Sequence, residues 1–124
     1  MKIFLSADIE GTTGIALWDE TENGHSRYPY FADQMTREVN AACLGAMDAG
    51  CTDILVKDAH DSGRNIDITQ LPQCVEVIRG WSGHPFSMAY GVDESFDAAF
   101  FIGYHSPAGT NGNPLSHTFT TKTT

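Results

Sequence analysis

Three short apolar runs punctuate the chain, and each ends in residues able to ligate a metal. Ile3-Phe4-Leu5-Ser6-Ala7 leads into Asp8-Ile9-Glu10-Gly11, Ile54-Leu55-Val56-Lys57 into Asp58-Ala59-His60-Asp61, and Ala98-Ala99-Phe100-Phe101-Ile102-Gly103 into Tyr104-His105. All three read as strands, and the near-continuous apolar run of the second predicts burial on both faces, as in a parallel sheet. Between the first two, Met35, Val39, Ala42, Ala46 and Ala49 recur at spacings of three and four. That period predicts a helix from about Phe31 to Ala49 with one apolar face, closed by Gly50 as its C-terminal cap. Strand, helix and strand together make a βαβ unit, expected to be right-handed.

The remaining segments are less regular. Gly11-Thr12-Thr13-Gly14 reads as a tight turn. Residues 16–30 are polar, with Gly24 and Pro29 as breakers, and read as a loop hanging over the strand ends. Asp61 to Asn65 reads as a loop, and Ile66 to Leu71 fits neither period. Val75-Glu76-Val77-Ile78 predicts a short strand at a sheet edge, and Phe86 to Tyr90 a short helix. From Ser106 onward the periodicity is lost among Pro107, Gly109, Gly112 and Pro114. Either Ser116 to Thr121 forms one more strand, or the chain is a fragment of something longer. The expected fold class is α/β: a three-layer sandwich with a mostly parallel central sheet, forming one domain over residues 1–124.

Composition narrows the partners. Apolar residues make up 41% and charged residues 19% of the 124, which describes a globular rather than a disordered chain. A net charge of −9 argues against a nucleic-acid-binding surface and against an anionic membrane. It suits cations and amine-bearing substrates. No apolar run approaches the ~18 residues of a membrane span. Cys43, Cys51 and Cys74 are odd in number and widely spaced, so they read as reduced thiols of a cytoplasmic protein rather than a disulfide framework.

In an open α/β sheet, ligands bind at the carboxyl ends of the strands. Asp8 and Glu10, two apart on an extended chain, share a face and lie about 6.5–7 Å apart at the backbone. They reach one metal, or a carboxylate bridges two. His60 and His105 close two other strand ends, and two carboxylates with two imidazoles suit zinc. Asp58 and Asp61 are candidates to orient an imidazole, and Asp58 alternatively caps the following turn. His25 and His84 read as structural or exposed. Ser116-His117 is either a surface pair or, more sharply, carries a histidine acting on substrate. Gly80-Trp81-Ser82-Gly83 is not a nucleophile elbow, because His84 stands where its last glycine belongs.

Two family resemblances meet at these residues. Leu5-Ser6-Ala7-Asp8-Ile9-Glu10-Gly11-Thr12-Thr13 resembles the opening motif of haloacid-dehalogenase-type phosphatases. That resemblance implies a magnesium enzyme with Asp8 as the phosphorylated nucleophile and Glu10 as acid/base. Such enzymes need a later lysine and an acidic pair near the last strands, whereas the later strand ends here carry His60 and His105, which suit zinc better than magnesium. A wider resemblance covers almost the whole chain. Ser6 to Gly11, Ala49 to Thr52, Val56 to His60, Pro85 to Met88 with Gly91, Phe101 to His105, and Leu115 to His117 are similar to motifs of the D-aminopeptidase family, peptidase family M55.

This second resemblance implies two zinc ions and removal of N-terminal, often D-configured, residues from small peptides or amino-acid amides. It implies Asp8, Glu10, His60 and His105 as metal ligands, with His117 as the catalytic histidine. It further implies a homo-oligomer. Family members are longer, and their remaining ligand is a downstream glutamate, whereas this chain has no glutamate after Glu94. The chain then represents the N-terminal part of a longer catalytic chain. A third reading is an inactive fragment or interaction subunit.

Overall fold

The computed structural model describes residues 1–119. Among these residues four strands, β1 (Lys2–Ala7), β2 (Asp53–Asp58), β3 (Val75–Ile78) and β4 (Ala98–Ile102), form one sheet in the order β3-β2-β1-β4. All three pairings are parallel. β1 lies between β2 and β4, so Ala7 is in register with Asp58 on one side and Ile102 on the other. The chain adds β2 and β3 on one side of β1 and then crosses to add β4 on the other. The β1/β4 boundary is therefore the topological switch point, where such sheets open a crevice at their carboxyl ends.

One α-helix among the described residues, α1 (Tyr28–Asp48), covers one face. It starts three residues earlier than its apolar period predicts, because Pro29 sits in the first turn. There the missing N–H costs nothing and the restricted φ favours the helix, so Pro29 begins the element instead of breaking it. At the other end Gly50, with φ of 90°, donates to Met47 O and Cys51 donates to Ala46 O, which closes the helix in a Schellman pair. Met35, Val39 and Cys43 are fully buried against Ile3, Leu5, Ala7, Ile54 and Val56. Each such side chain stabilises the fold by about 1.5–3 kcal/mol.

The opposite face carries Phe4, Ser6, Leu55 and Lys57 and is covered by irregular chain from 79 to 97. Phe4 meets the Phe96 ring edge-on at 5.7 Å. Ser6 donates to Met88 O at 2.6 Å and receives Tyr104 OH at 2.7 Å. The expected short helix here is a 3₁₀ turn, Ser87–Ala89, and a second 3₁₀ turn, Ile68–Gln70, follows an Asp67 cap. Ser116 to Phe119 form no strand, and residues 120–124 lie outside the described part. Among the described residues no helix is long and apolar enough to cross a membrane.

Candidate metal centre

The turn after β1 is locked to the turn after β4. Asp8 N donates to Ile102 O at 2.9 Å, and Gly11 N to Gly103 O at 2.7 Å. The approach is so close that a Cβ on Gly11 would stand 2.2 Å from Tyr104 O, and one on Gly103 would stand 2.2 Å from Asp8 O. Only glycine fits at either place, and Gly103 also has a φ of +67°. On the other side Ala59 N donates to Ala7 O at 2.8 Å, extending the β1–β2 ladder to the residue before His60. The three strand ends thus converge, and they bring Asp8, Glu10, His60 and His105 together. His117 joins them from the loop beyond β4.

Each carboxylate spans two imidazoles. Asp8 Oδ1 lies 3.3 Å from His60 Nδ1 and Asp8 Oδ2 lies 3.5 Å from His105 Nε2. Glu10 Oε2 lies 3.3 Å from His60 Nδ1 and Glu10 Oε1 lies 3.8 Å from His117 Nε2. Asp8, Glu10 and His60 are buried; His117 is the most exposed of the imidazoles, with about a third of its side chain accessible (32%). The His105 and His117 rings stack at 3.6 Å, and Trp18 packs edge-on against His117 at 5.1 Å.

The outer nitrogen of every imidazole is held by a backbone carbonyl. His60 Nε2 donates to Thr21 O at 2.8 Å, His105 Nδ1 to Ser106 O at 2.9 Å, and His117 Nδ1 to Leu115 O at 2.7 Å. A carbonyl only accepts, so these nitrogens carry the protons. The inner nitrogens then turn lone pairs toward carboxylates, an arrangement that is repulsive unless a cation lies between. A proton on His60 meets this demand. Burial works against a charged imidazole, but Asp8 and Glu10 outweigh it and raise the His60 pKa to about 10. Burial also opposes ionisation of Glu10, yet the neighbouring His60 imidazole and Asp8 lower it to about 2. Asp8 is pushed up, by burial first and then by its neighbour Glu10.

A divalent metal meets the same demand with more charge. The donor atoms fall into two overlapping groups, Asp8/Glu10/His60 and Glu10/His105/His117, each within 4.8 Å of one another. Glu10 belongs to both, and Asp8 presents one oxygen to each side. Glu10 Oε2 is buried without a hydrogen bond, facing His60 at a poor angle, as expected of an atom built to bind a cation. Two carboxylates with the imidazoles of His60 and His105, their tautomers set by backbone acceptors, fit zinc.

The family model for peptidase family M55, described as D-aminopeptidase, matches residues 1–124. The chain belongs to the D-aminopeptidase family. Among its relatives is the curated D-aminopeptidase of Bacillus subtilis (strain 168), 36% identical over 117 residues, which cover 94% of this chain and 42% of the relative. The structure of the Zn-dependent D-aminopeptidase DppA from Bacillus subtilis, described as a self-compartmentalizing protease, superposes with a TM-score of 0.90 at 34% identity. That match takes in 97% of this chain and 43% of DppA. This D-aminopeptidase family chain therefore spans less than half the length of these relatives. The wider of the two resemblances is the family the chain belongs to, and the phosphatase resemblance stops at the first turn.

Several parts of the centre carry no sequence signal. Asp58 orients no imidazole. Its carboxylate accepts from Asn65 N at 2.6 Å, Asn65 Nδ2 at 2.8 Å and Ile66 N at 2.9 Å, which makes it the cap of the His60 loop. The group that orients His60 is instead the carbonyl of Thr21, from the polar segment 16–30, and a backbone atom has no side-chain signature. Asp61 likewise turns to a cavity, not to an imidazole. This cavity of about 480 Å³ opens above the cluster and is lined in addition by Trp18, Glu22, Asn23, Met88 and Phe119. His25 and His84 are exposed, as their polar contexts predict.

Proposed function

We propose that this chain is the metal-binding part of a zinc-dependent aminopeptidase that releases N-terminal, D-configured residues from small peptides or amino-acid amides. Three inward-facing imidazole nitrogens around two buried carboxylates carry this reading. Asp8, Glu10, His60 and His105 would hold the zinc ions. Bound there, two such ions supply Lewis acidity for the scissile carbonyl and an acidified water near neutral pH.

The protein's own groups do the rest. Asp8 and Glu10 would supply the negative charge that holds the cations. Thr21 O and Ser106 O hold His60 and His105 in the ligating tautomer. His117 is accessible from the cavity and is held against His105 by ring stacking. Its Nε2 would carry a proton to the leaving amine. The acidic chain, with its net charge of −9, favours amine-bearing substrates over nucleic acid or anionic membrane. We place the protein in the cytoplasm as a homo-oligomer. The relative described as self-compartmentalizing supports self-association, as do the exposed Phe86, Phe101 and Phe119.

Elemental analysis after dialysis against trace zinc tests the reading, followed by assay of D-alanine release from D-alanyl amides with and without chelator. Two zinc ions per chain and chelator-sensitive release are expected. Zinc bound without turnover favours an incomplete subunit that needs further ligands from other polypeptide. Turnover that survives complete metal removal overturns the proposal.

A further inference from the structure

Two residues before His117 the backbone takes a conformation that leucine seldom adopts. Pro114 and Leu115 are the central residues of a turn from Asn113 to Ser116, and Ser116 Oγ donates to Asn113 O at 3.1 Å. Proline suits the first central position. The second has a φ of 52°, where glycine or asparagine is usual, because a left-handed backbone crowds a Cβ. Leucine, bulky and without a polar group to bond its own backbone, is an outlier there.

Two contacts account for it. The Leu115 side chain packs against the core cluster, whereas residues 107–114 before it are exposed. The Leu115 carbonyl accepts from His117 Nδ1 at 2.7 Å. Leu115 is thus the point where the loop after His105 returns to the core, and its carbonyl meets the ring at that point. The base of the loop is closed by His117 N, which donates to Ser106 O at 3.3 Å. A residue forced out of the left-handed region would turn the following peptide and carry the carbonyl away from the ring.

The consequence falls on the imidazole. A ring nitrogen 2.7 Å from a carbonyl carries the proton, so the neutral ring has Nε2 free. Glu10 Oε1, 3.8 Å from Nε2, is beyond hydrogen-bond distance and does not compete for it. Stacking on His105 and the edge of Trp18 set the place of the ring but not which nitrogen is protonated.

We propose that Leu115 is a positioning residue for His117. Its left-handed backbone, pinned by the core, aims the carbonyl that fixes the Nδ1–H tautomer and leaves Nε2 free to take up and hand on a proton. The use of that proton rests on the aminopeptidase reading; the tautomer does not.

The test is 15N NMR of the neutral His117 ring in the zinc-free chain, since protonated and unprotonated ring nitrogens resonate far apart. Wild type should show Nδ1 protonated. Leu115→Gly and Leu115→Asn enter the left-handed region without an anchor and should keep that tautomer. Leu115→Val stays apolar but is β-branched and ill suited to positive φ, so the protonated resonance should move to Nε2. A role in packing alone predicts the reverse order, with valine close to wild type and glycine and asparagine impaired. Circular dichroism and the resonances of His25 and His84 check folding. Should Leu115→Val fail to fold, the glycine and asparagine variants decide alone. Nε2–H in wild type, an unchanged tautomer in folded Leu115→Val, or loss of Nδ1–H in either other variant overturns the proposal. Chelator-sensitive D-alanine release by the zinc-loaded chain is assayed separately. Its absence beside the expected tautomers counts against the aminopeptidase reading and leaves the positioning role standing.

Discussion

Replacing Asn65 by alanine should unhinge the loop that carries His60. Asn65 is buried, and its amide nitrogen donates to Asp58 Oδ1 at 2.8 Å and to His60 O at 2.6 Å, while its oxygen accepts from Tyr28 OH at 2.6 Å. The bond to ionised Asp58 contributes about 1.5–3 kcal/mol and each neutral bond about 1 kcal/mol. Alanine removes all three and leaves the His60 carbonyl and the Tyr28 hydroxyl without these partners. The expected loss is about 3–5 kcal/mol, a large share of the ~5–15 kcal/mol typical of a domain. Asp58 keeps its two backbone donors, so the loop should loosen rather than unfold outright. Zinc affinity should fall about 10–100-fold, as when groups behind a metal ligand are removed. Urea unfolding followed by circular dichroism gives the stability, and competition with a zinc-binding dye gives the affinity. Asn65→Asp should be worse than alanine, because it sets a second carboxylate against Asp58. A loss below about 1 kcal/mol with unchanged zinc affinity would refute this account of how His60 is placed.

Gly103→Ala should destabilise by about 3 kcal/mol or more and abolish zinc binding, since its Cβ would stand 2.2 Å from Asp8 O at a φ of +67°; near-normal stability by urea titration would contradict the close packing of the two turns. Lys57 is buried, and burial lowers its pKa below the ordinary 10.5, more than the nearby Asp58 charge raises it. Between that lowered value and 10.5 the unfolded chain binds more protons, so this group makes stability rise with pH. Wild type should therefore gain on Lys57→Met as the pH approaches 10.5, and a difference that shrinks over that range would show the opposite sign. Cys74 is exposed while Cys43 and Cys51 are buried, with burial pushing the Cys43 thiol up to about 11. One thiol per chain should react quickly with a disulfide reagent in the native protein and all three after denaturation; three fast thiols would place Cys43 and Cys51 at the surface.

The strands were legible because a strand buried on both faces has little choice of composition. β1 is buried from Ile3 to Ala7 and reads as an apolar run broken only by the small Ser6. The edge strand β3 was legible too, because Glu76 interrupts its apolar positions on the exposed side. Pro29 misled because a proline breaks a helix or begins one depending on its position within a single turn. Asp58 was legible as the cap of the following turn, but the sequence could not choose between that role and orienting an imidazole. A carboxylate after a strand looks the same whether it holds a metal, an imidazole or three N–H groups of the next loop. Thr21, Ser106 and Leu115 act through their carbonyls, so no residue type there announces the function.

The arrangement of the centre follows from one constraint. A parallel sheet places its strand ends side by side, and a buried carboxylate at each of two positions needs positive charge nearby. Histidine supplies it in two ways, as a protonated partner or as a ligand to a cation. Holding the outer nitrogen on a carbonyl prepares the inner one for either role. The same geometry explains why Gly11 and Gly103 stand where they do. Any side chain there would push the β1 and β4 turns apart and separate Asp8 from His105, the pair that links the two halves of the cluster.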